Sequence, residues 1–200
     1  MGRVRMAAGA AVLLLTLVGC GGPSITAPKE KDIRVDTPEL VALKKAAGIE
    51  SCPTSQTSRG GLPDVTLKCL GGGADVDLST LKGPLVINVW SSTCGPCRQE
   101  MPALGEFHRK YGSQVPLLGI DIEDTYPGVA LKQAAKRKAS YPQLFDYNGH
   151  IDKTKTLHLT GLPTFFFLHA DGTVTKQAGG LESLDEVVDM VNTQLGMQLS

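Results

Sequence analysis

The sequence predicts an α/β domain with a central mixed sheet, helices on both faces and an N-terminal β-hairpin extension. Three observations carry this. Pro84 to Trp90 is a continuous apolar run broken only by Asn88, as in a strand covered on both faces. An amphipathic stretch from about Cys94 to Tyr111 and a second apolar run at Val115 to Asp121 follow it, giving strand, helix, strand. The chain then closes on a hairpin signal at Asp171-Gly172 and a helix opened by Ser183, an order that lays helices against a sheet. The 200 residues, 42% hydrophobic, suit one compact domain with appendages. The 20 Lys+Arg balance 20 Asp+Glu without a basic run, so nucleic-acid binding has no electrostatic footing.

Taken in order, Arg3 and Arg5 precede an apolar run from Met6 to Val18. It is shorter than the roughly 20 residues that span a bilayer, and it fits a signal-peptide core over residues 1–19. Leu17-Val18-Gly19-Cys20 resembles the lipobox of bacterial lipoproteins, which implies cleavage before Cys20 and acylation of that residue. The alternative is an ordinary leader with an incidental cysteine. Export implies an oxidising compartment, where disulfides persist. Gly21 to Asp36 mixes Gly, Pro, Ser and both charges and reads as a solvated tether. Thr37-Pro38-Glu39 opens a short helix that Gly48 stops. Val65 to Leu70 alternates as a strand, Gly71-Gly72-Gly73 turns the chain, and Asp75 to Leu78 returns as a second short strand. Pro127 to Ala139 reads as a helix, Leu162 to Leu168 and Val174 to Lys176 as strands. Ser183-Leu184-Asp185-Glu186 begins the final helix with a near capping box.

Cys94-Gly95-Pro96-Cys97 sits at the junction of the buried strand and the long helix. A cysteine at a helix N-terminus meets the positive end of the macrodipole and unpaired N–H groups, which favour its thiolate. Cys94 is therefore the expected nucleophile. Cys97, about one turn deeper, is the expected resolving thiol. The competing readings are a structural disulfide or half of a zinc site. A zinc site needs about four ligands, and His108, His150, His158 and His169 are scattered singly. No metal or cofactor is expected.

With Pro102 five residues after the second cysteine, a distant Gly161-Leu162-Pro163-Thr164, and Leu-Ser-Thr-Leu-Lys-Gly at 78 to 83, the chain resembles thioredoxin-fold proteins. Among them it is most similar to the TlpA/ResA-like extracytoplasmic thiol-disulfide oxidoreductases, over residues 62 to 196. The resemblance implies a thioredoxin-like domain at 51–200, behind a lipidated N-terminus, tether and short helix at 20–50. It implies a cis peptide before Pro163, facing the cysteines, with Leu162 pairing its backbone to an extended substrate. It places Trp90 beside the site as an aromatic substrate contact, although packing alone would also account for it. It offers Glu100 as a carboxylate that accepts or relays a proton for Cys97; the alternative is an exposed helix-surface acid. Thioredoxins carry a buried Asp where this chain has Asn88, so proton handling falls to Glu100, water or another group. Glu123 is a weaker candidate.

Cys52 and Cys69 remain as an even pair flanking a polar loop. A structural disulfide there would stabilise the fold by about 3 kcal/mol on the entropic model. The competing reading is a second redox-active pair. The family implies reduction of protein disulfides, including apocytochrome c cysteines, with a membrane-embedded thiol transporter as electron donor and the lipid anchor holding the protein to the outer face of the cell membrane. Rival functions are a disulfide-forming oxidase of the same fold, a peroxidase, whose motif needs Pro where Ile87 stands, and a Sco-like copper chaperone using His169.

Overall fold

The structure is a computed structural model that describes residue 2, residues 28–55 and residues 59–200. Apart from residue 2, the leader, the lipobox and Cys20 lie outside the described residues. Helix α1 spans Pro38–Ala46; Thr37 caps it by accepting from the Leu40 amide, Pro38 fills the first turn, and Gly48 leaves it at φ +65°. Strand β1 (Thr66–Cys69) and the two-residue β2 (Val76–Asp77) form the expected hairpin around the three glycines. The central strand β3 is Leu85–Trp90, buried at every position. Helix α2 (Gly95–Tyr111), β4 (Leu117–Ile122), α3 (Pro127–Lys136), β5 (Gln143–Asp146), β6 (Thr164–Leu168), β7 (Val174–Ala178) and α4 (Leu184–Leu195) follow.

The seven strands run in the order β2-β1-β5-β4-β3-β6-β7. Strands β3, β4 and β5 are parallel; β1, β6 and β7 pair antiparallel with their neighbours. Strand β5 has no counterpart in the sequence reading. It is four residues long, behind a proline, and so short a run carries no period of its own.

Alternation along β3 feeds two cores. Val86 and Trp90 join one built with side chains of all four helices, including Leu104 and Phe107 of α2, Ala130 and Leu131 of α3, and Val187 and Val191 of α4. Ile87 and Val89 join the other, which Leu62, Leu67, Leu78, Leu81, Ile151 and Leu157 complete. The second face is thus closed by the hairpin, a 3-10 turn at Leu78–Thr80 and the 151–159 segment, where the sequence led us to expect helix.

The tether reading is corrected at its end. Ile33 and Val35 are buried in the first core, and the Val35 carbonyl accepts from the Gly71 amide at 2.9 Å. Their period-two spacing is masked in the sequence by the charged residues around them. Pro102, inside α2, has no N–H for the Arg98 carbonyl four residues back; the Arg137 Nε from the end of α3 donates to that carbonyl at 2.6 Å. A proline that would weaken an isolated helix here ties two helices together.

Candidate active site

Strand β3 ends at Trp90, and three small polar residues lead into α2. The Cys94 amide donates to the Ser91 carbonyl at 3.0 Å, the Ser92 amide to Asp124 Oδ2 at 3.1 Å, and Arg98 Nη1 to the Ser92 carbonyl at 2.7 Å. These bonds fix the turn so that Cys94 becomes the N-cap of α2, with extended backbone (φ −72°, ψ 113°) and its Sγ accepting from the Cys97 amide at 3.2 Å. A sulfur in the cap position receives a first-turn N–H in the way a capping oxygen does, and a thiolate receives it more strongly. Cys94 and Cys97 are joined as a disulfide with Cα atoms 5.3 Å apart. Cys94 is half-buried, whereas Cys97 is 0% exposed. One sulfur can be attacked from outside and the other is reached through it.

Beside this turn lies the start of β6. Val89 pairs with Thr164, so the preceding Leu162-Pro163 bond, which is cis, stands at the same end of the sheet as the cysteines. Leu162 is half-buried and Pro163 buried. The opposite end is where His169 lies: Leu85, at the start of β3, pairs with Leu168. Six strand residues, about 20 Å, separate His169 from the cysteine turn, so it cannot complete a copper site with them.

Glu100, three residues beyond Cys97, is fully buried, which overturns the reading as an exposed helix-surface acid. Its Oε1 accepts from Asn88 Nδ2 at 2.9 Å, and its Oε2 accepts from the Gly180 amide at 2.9 Å and the Leu181 amide at 3.5 Å. Burial pushes its pKa above the ordinary glutamate value, and these three donors partly counter the rise. Tyr141 donates to Asn88 Oδ1 at 3.4 Å, extending the buried chain across the sheet. Gly179 is a glycine for want of space: a β-carbon there would stand 2.7 Å from Glu100 Oε2 and 2.8 Å from Pro163 Cγ. The end of β7 therefore closes over both the acid and the proline.

Trp90 does not offer a substrate surface. It is 0% exposed and its Nε1 donates to Gln143 Oε1 at 2.9 Å, because alternation along β3 points it into the core beneath α2. Glu123 is exposed at φ +52° beyond the end of β4 and, among the described residues, bonds no member of the cysteine turn or the Glu100 chain.

Two acids escaped the sequence reading. Asp121, at the register position beside Trp90, is fully buried, and neither of its oxygens has a hydrogen-bond partner among the described residues. Burial first, and then the nearby Asp124 carboxylate, drive its pKa well above the ordinary aspartate value; the Ser92 amide, already bonded to Asp124, is a partial offset. An acid whose folded pKa is raised holds its proton in the native state after the unfolded chain has lost it. Stability therefore falls as pH rises from the unfolded aspartate range towards the folded value. Asp121→Asn is expected to raise stability at neutral pH by about 1–2 kcal/mol and to flatten that decline, with little effect in acid. Thermal melts across pH read both.

Cys52 and Cys69 are also bonded, with Cα atoms 5.9 Å apart, joining the segment after α1 to the end of β1.

Comparison with known proteins finds thiol-disulfide oxidoreductases among the relatives. A thiol-disulfide oxidoreductase ResA from Bacillus thuringiensis subsp. konkukian is 30% identical over 118 residues, covering 58% of this chain and 66% of the relative. The sporulation thiol-disulfide oxidoreductase A of Bacillus subtilis is 22% identical over 146 residues, covering 72% of this chain and 87% of the relative. The matched region thus falls just short of two thirds of the ResA relative's length. Among solved structures, a secreted Mycobacterium tuberculosis disulfide oxidoreductase described as homologous to E. coli DsbE superposes with TM-score 0.56 at 26% identity, covering 65% of this chain and 96% of that one. A DsbE-type thiol:disulfide interchange protein from Chlorobium tepidum gives TM-score 0.56 at 26% identity, covering 69% and 97%. Residues 60–177 match the AhpC/TSA family, so this chain, with its thioredoxin-like sheet and helices, belongs to that family.

Proposed function

We propose that this protein is a thiol-disulfide oxidoreductase tethered to the outer face of the cell membrane through Cys20, where it reduces disulfides in other proteins. The observation that carries the reading is the asymmetry of the Cys94–Cys97 pair: a half-buried sulfur capping α2 and a wholly buried partner behind it. In the reduced protein the Cys94 thiolate attacks one sulfur of a substrate disulfide and expels the other as a thiolate, leaving a mixed disulfide. The Cys97 thiol gives up its proton and attacks Cys94 Sγ, releasing the second substrate thiolate and closing the intramolecular bond. Two electrons pass to the substrate. Glu100, on the neighbouring turn of the same helix, receives the Cys97 proton through its raised proton affinity. The Leu162-Pro163 segment holds the substrate chain in extended form beside Cys94. A membrane-embedded thiol transporter recharges the pair, and apocytochrome c cysteines are the proposed clients. The Cys52–Cys69 bond ties the N-terminal segment to the sheet.

Trapping tests this. Cys97→Ala should accumulate mixed disulfides through Cys94, and the captured partners identify client and donor. A chain that captures nothing would overturn the reading. For the second bond, joint replacement of Cys52 and Cys69 by alanine is expected to lower unfolding free energy by about 3 kcal/mol, read as a lower urea midpoint.

A further inference from the structure

Lys44 is buried, 7% exposed, although it lies on the short first helix. Its Nζ donates to Cys69 Sγ at 3.0 Å and to the Gly72 carbonyl at 2.9 Å. Both acceptors are uncharged, and among the described residues no carboxylate lies within ion-pair distance of it. The arrangement is built into the backbone. Gly71 and Gly72 adopt φ +80° and +89°, and a β-carbon on Gly71 would stand 2.7 Å from Lys44 Cβ, so the glycine turn makes the channel along which the lysine stem reaches the sulfur. Burial lowers the lysine's proton affinity. Among the described residues the ammonium thus has no counter-ion within ion-pair distance while the Cys52–Cys69 bond is intact.

The two sulfurs of that bond differ. Cys69 is 1% exposed and touches the ammonium; Cys52 is half-buried, on the segment that leads away from α1. We propose that Cys52–Cys69 is a second thiol-disulfide exchange site, at which an incoming thiolate attacks Cys52 and Cys69 leaves as a thiolate held by the Lys44 ammonium. The incoming S–S bond to Cys52 forms as the Cys52–Cys69 bond breaks. The electron pair of the broken bond goes to Cys69, where Lys44 gains the anion it lacks. A thiolate that is better stabilised leaves faster. With a dithiol as co-reactant, its second thiol loses a proton to solvent and attacks its own first sulfur. That step releases Cys52, which takes a proton from solvent, and the dithiol becomes a disulfide. Strands β5 and β4 separate β1 from β3, so this pair works apart from Cys94 and Cys97. Its substrate class is a reduced dithiol arriving from outside, and its product is a domain whose N-terminal segment is no longer bonded to β1.

The test uses the full chain carrying Cys94→Ala and Cys97→Ala, so that its outcome is independent of the first pair. Dithiothreitol is added under native conditions, and free thiols are counted by alkylation and mass spectrometry while circular dichroism follows the fold. The second bond should open in the folded chain. Adding Lys44→Met should slow opening by about tenfold, and Lys44→Arg should restore most of the rate. A bond that resists dithiothreitol until the chain unfolds, or a Lys44→Met chain that opens as fast as its parent, would overturn the proposal. A measurement on the same parent chain, needing no lysine variant, uses the monothiol glutathione followed by peptide mapping: the adduct should sit on Cys52. An adduct on Cys69, or shared equally, would contradict the assignment of the leaving sulfur.

Discussion

Cys94→Ala is expected to reduce turnover of a disulfide-containing peptide by at least about 10³-fold, and Cys97→Ala by nearly as much in the steady state. The two losses have different origins, which single-turnover kinetics separates. Without Cys94 the first pair presents no thiolate to the substrate, because Cys97 is fully buried behind the first turn of α2. Without Cys97 the attack proceeds at its native rate and stops at the mixed disulfide. The Cys94→Ala chain should show no burst of released substrate thiol; the Cys97→Ala chain should show one equivalent. Equal bursts from both would mean that the sulfurs are interchangeable, against the exposure difference on which the mechanism rests.

Glu100→Gln carries the next largest effect. The carboxylate accepts from Asn88 and from the Gly180 and Leu181 amides, and it is held above the ordinary glutamate pKa by burial. As the base for Cys97 it works only when ionised, so the resolving step in the native protein should speed up as pH rises through the raised Glu100 pKa. Glutamine keeps the volume and removes the titration. Resolution of a preformed mixed disulfide is expected to slow by about 10²-fold, and the rise at Glu100's pKa should vanish, leaving only the dependence set by the thiols. A Gln variant with an unchanged pH profile and rate would make Glu100 a packing element. Gly179→Ala offers a control of position: its β-carbon would press on Glu100 Oε2 and Pro163 together, so the rate should fall while the titration survives.

What the sequence made legible is what short spacing encodes. The cysteine pair, the apolar strand before it and the amphipathic helix after it are local, so Cys94 at the N-cap of α2 and the buried β3 could be read directly. The far strand with Pro163 entered through its motif. The surroundings of the site came from elsewhere in the chain. Gly180 is 80 residues from Glu100, and nothing local shows that its amide holds that carboxylate. Asp121 reads as the polar end of a strand; only the parallel register with Trp90 shows that it is buried beside the cysteine turn. The family resemblance makes Trp90 an aromatic beside the site or simply a packing residue, and strand alternation decides for packing by turning it inward. Lys44 stood among ordinary helix lysines, and only the glycine turn that α1 packs on reveals the sulfur it meets.

The central claim is that the helix N-terminus stabilises the Cys94 thiolate, and the most direct measurement is its alkylation rate against pH in the reduced protein. The account predicts a midpoint clearly below the value of about 8.5 for a free cysteine, with Cys97 unmodified until well above it. A Cys94 midpoint at the free-cysteine value, or Cys97 reacting first, would contradict it.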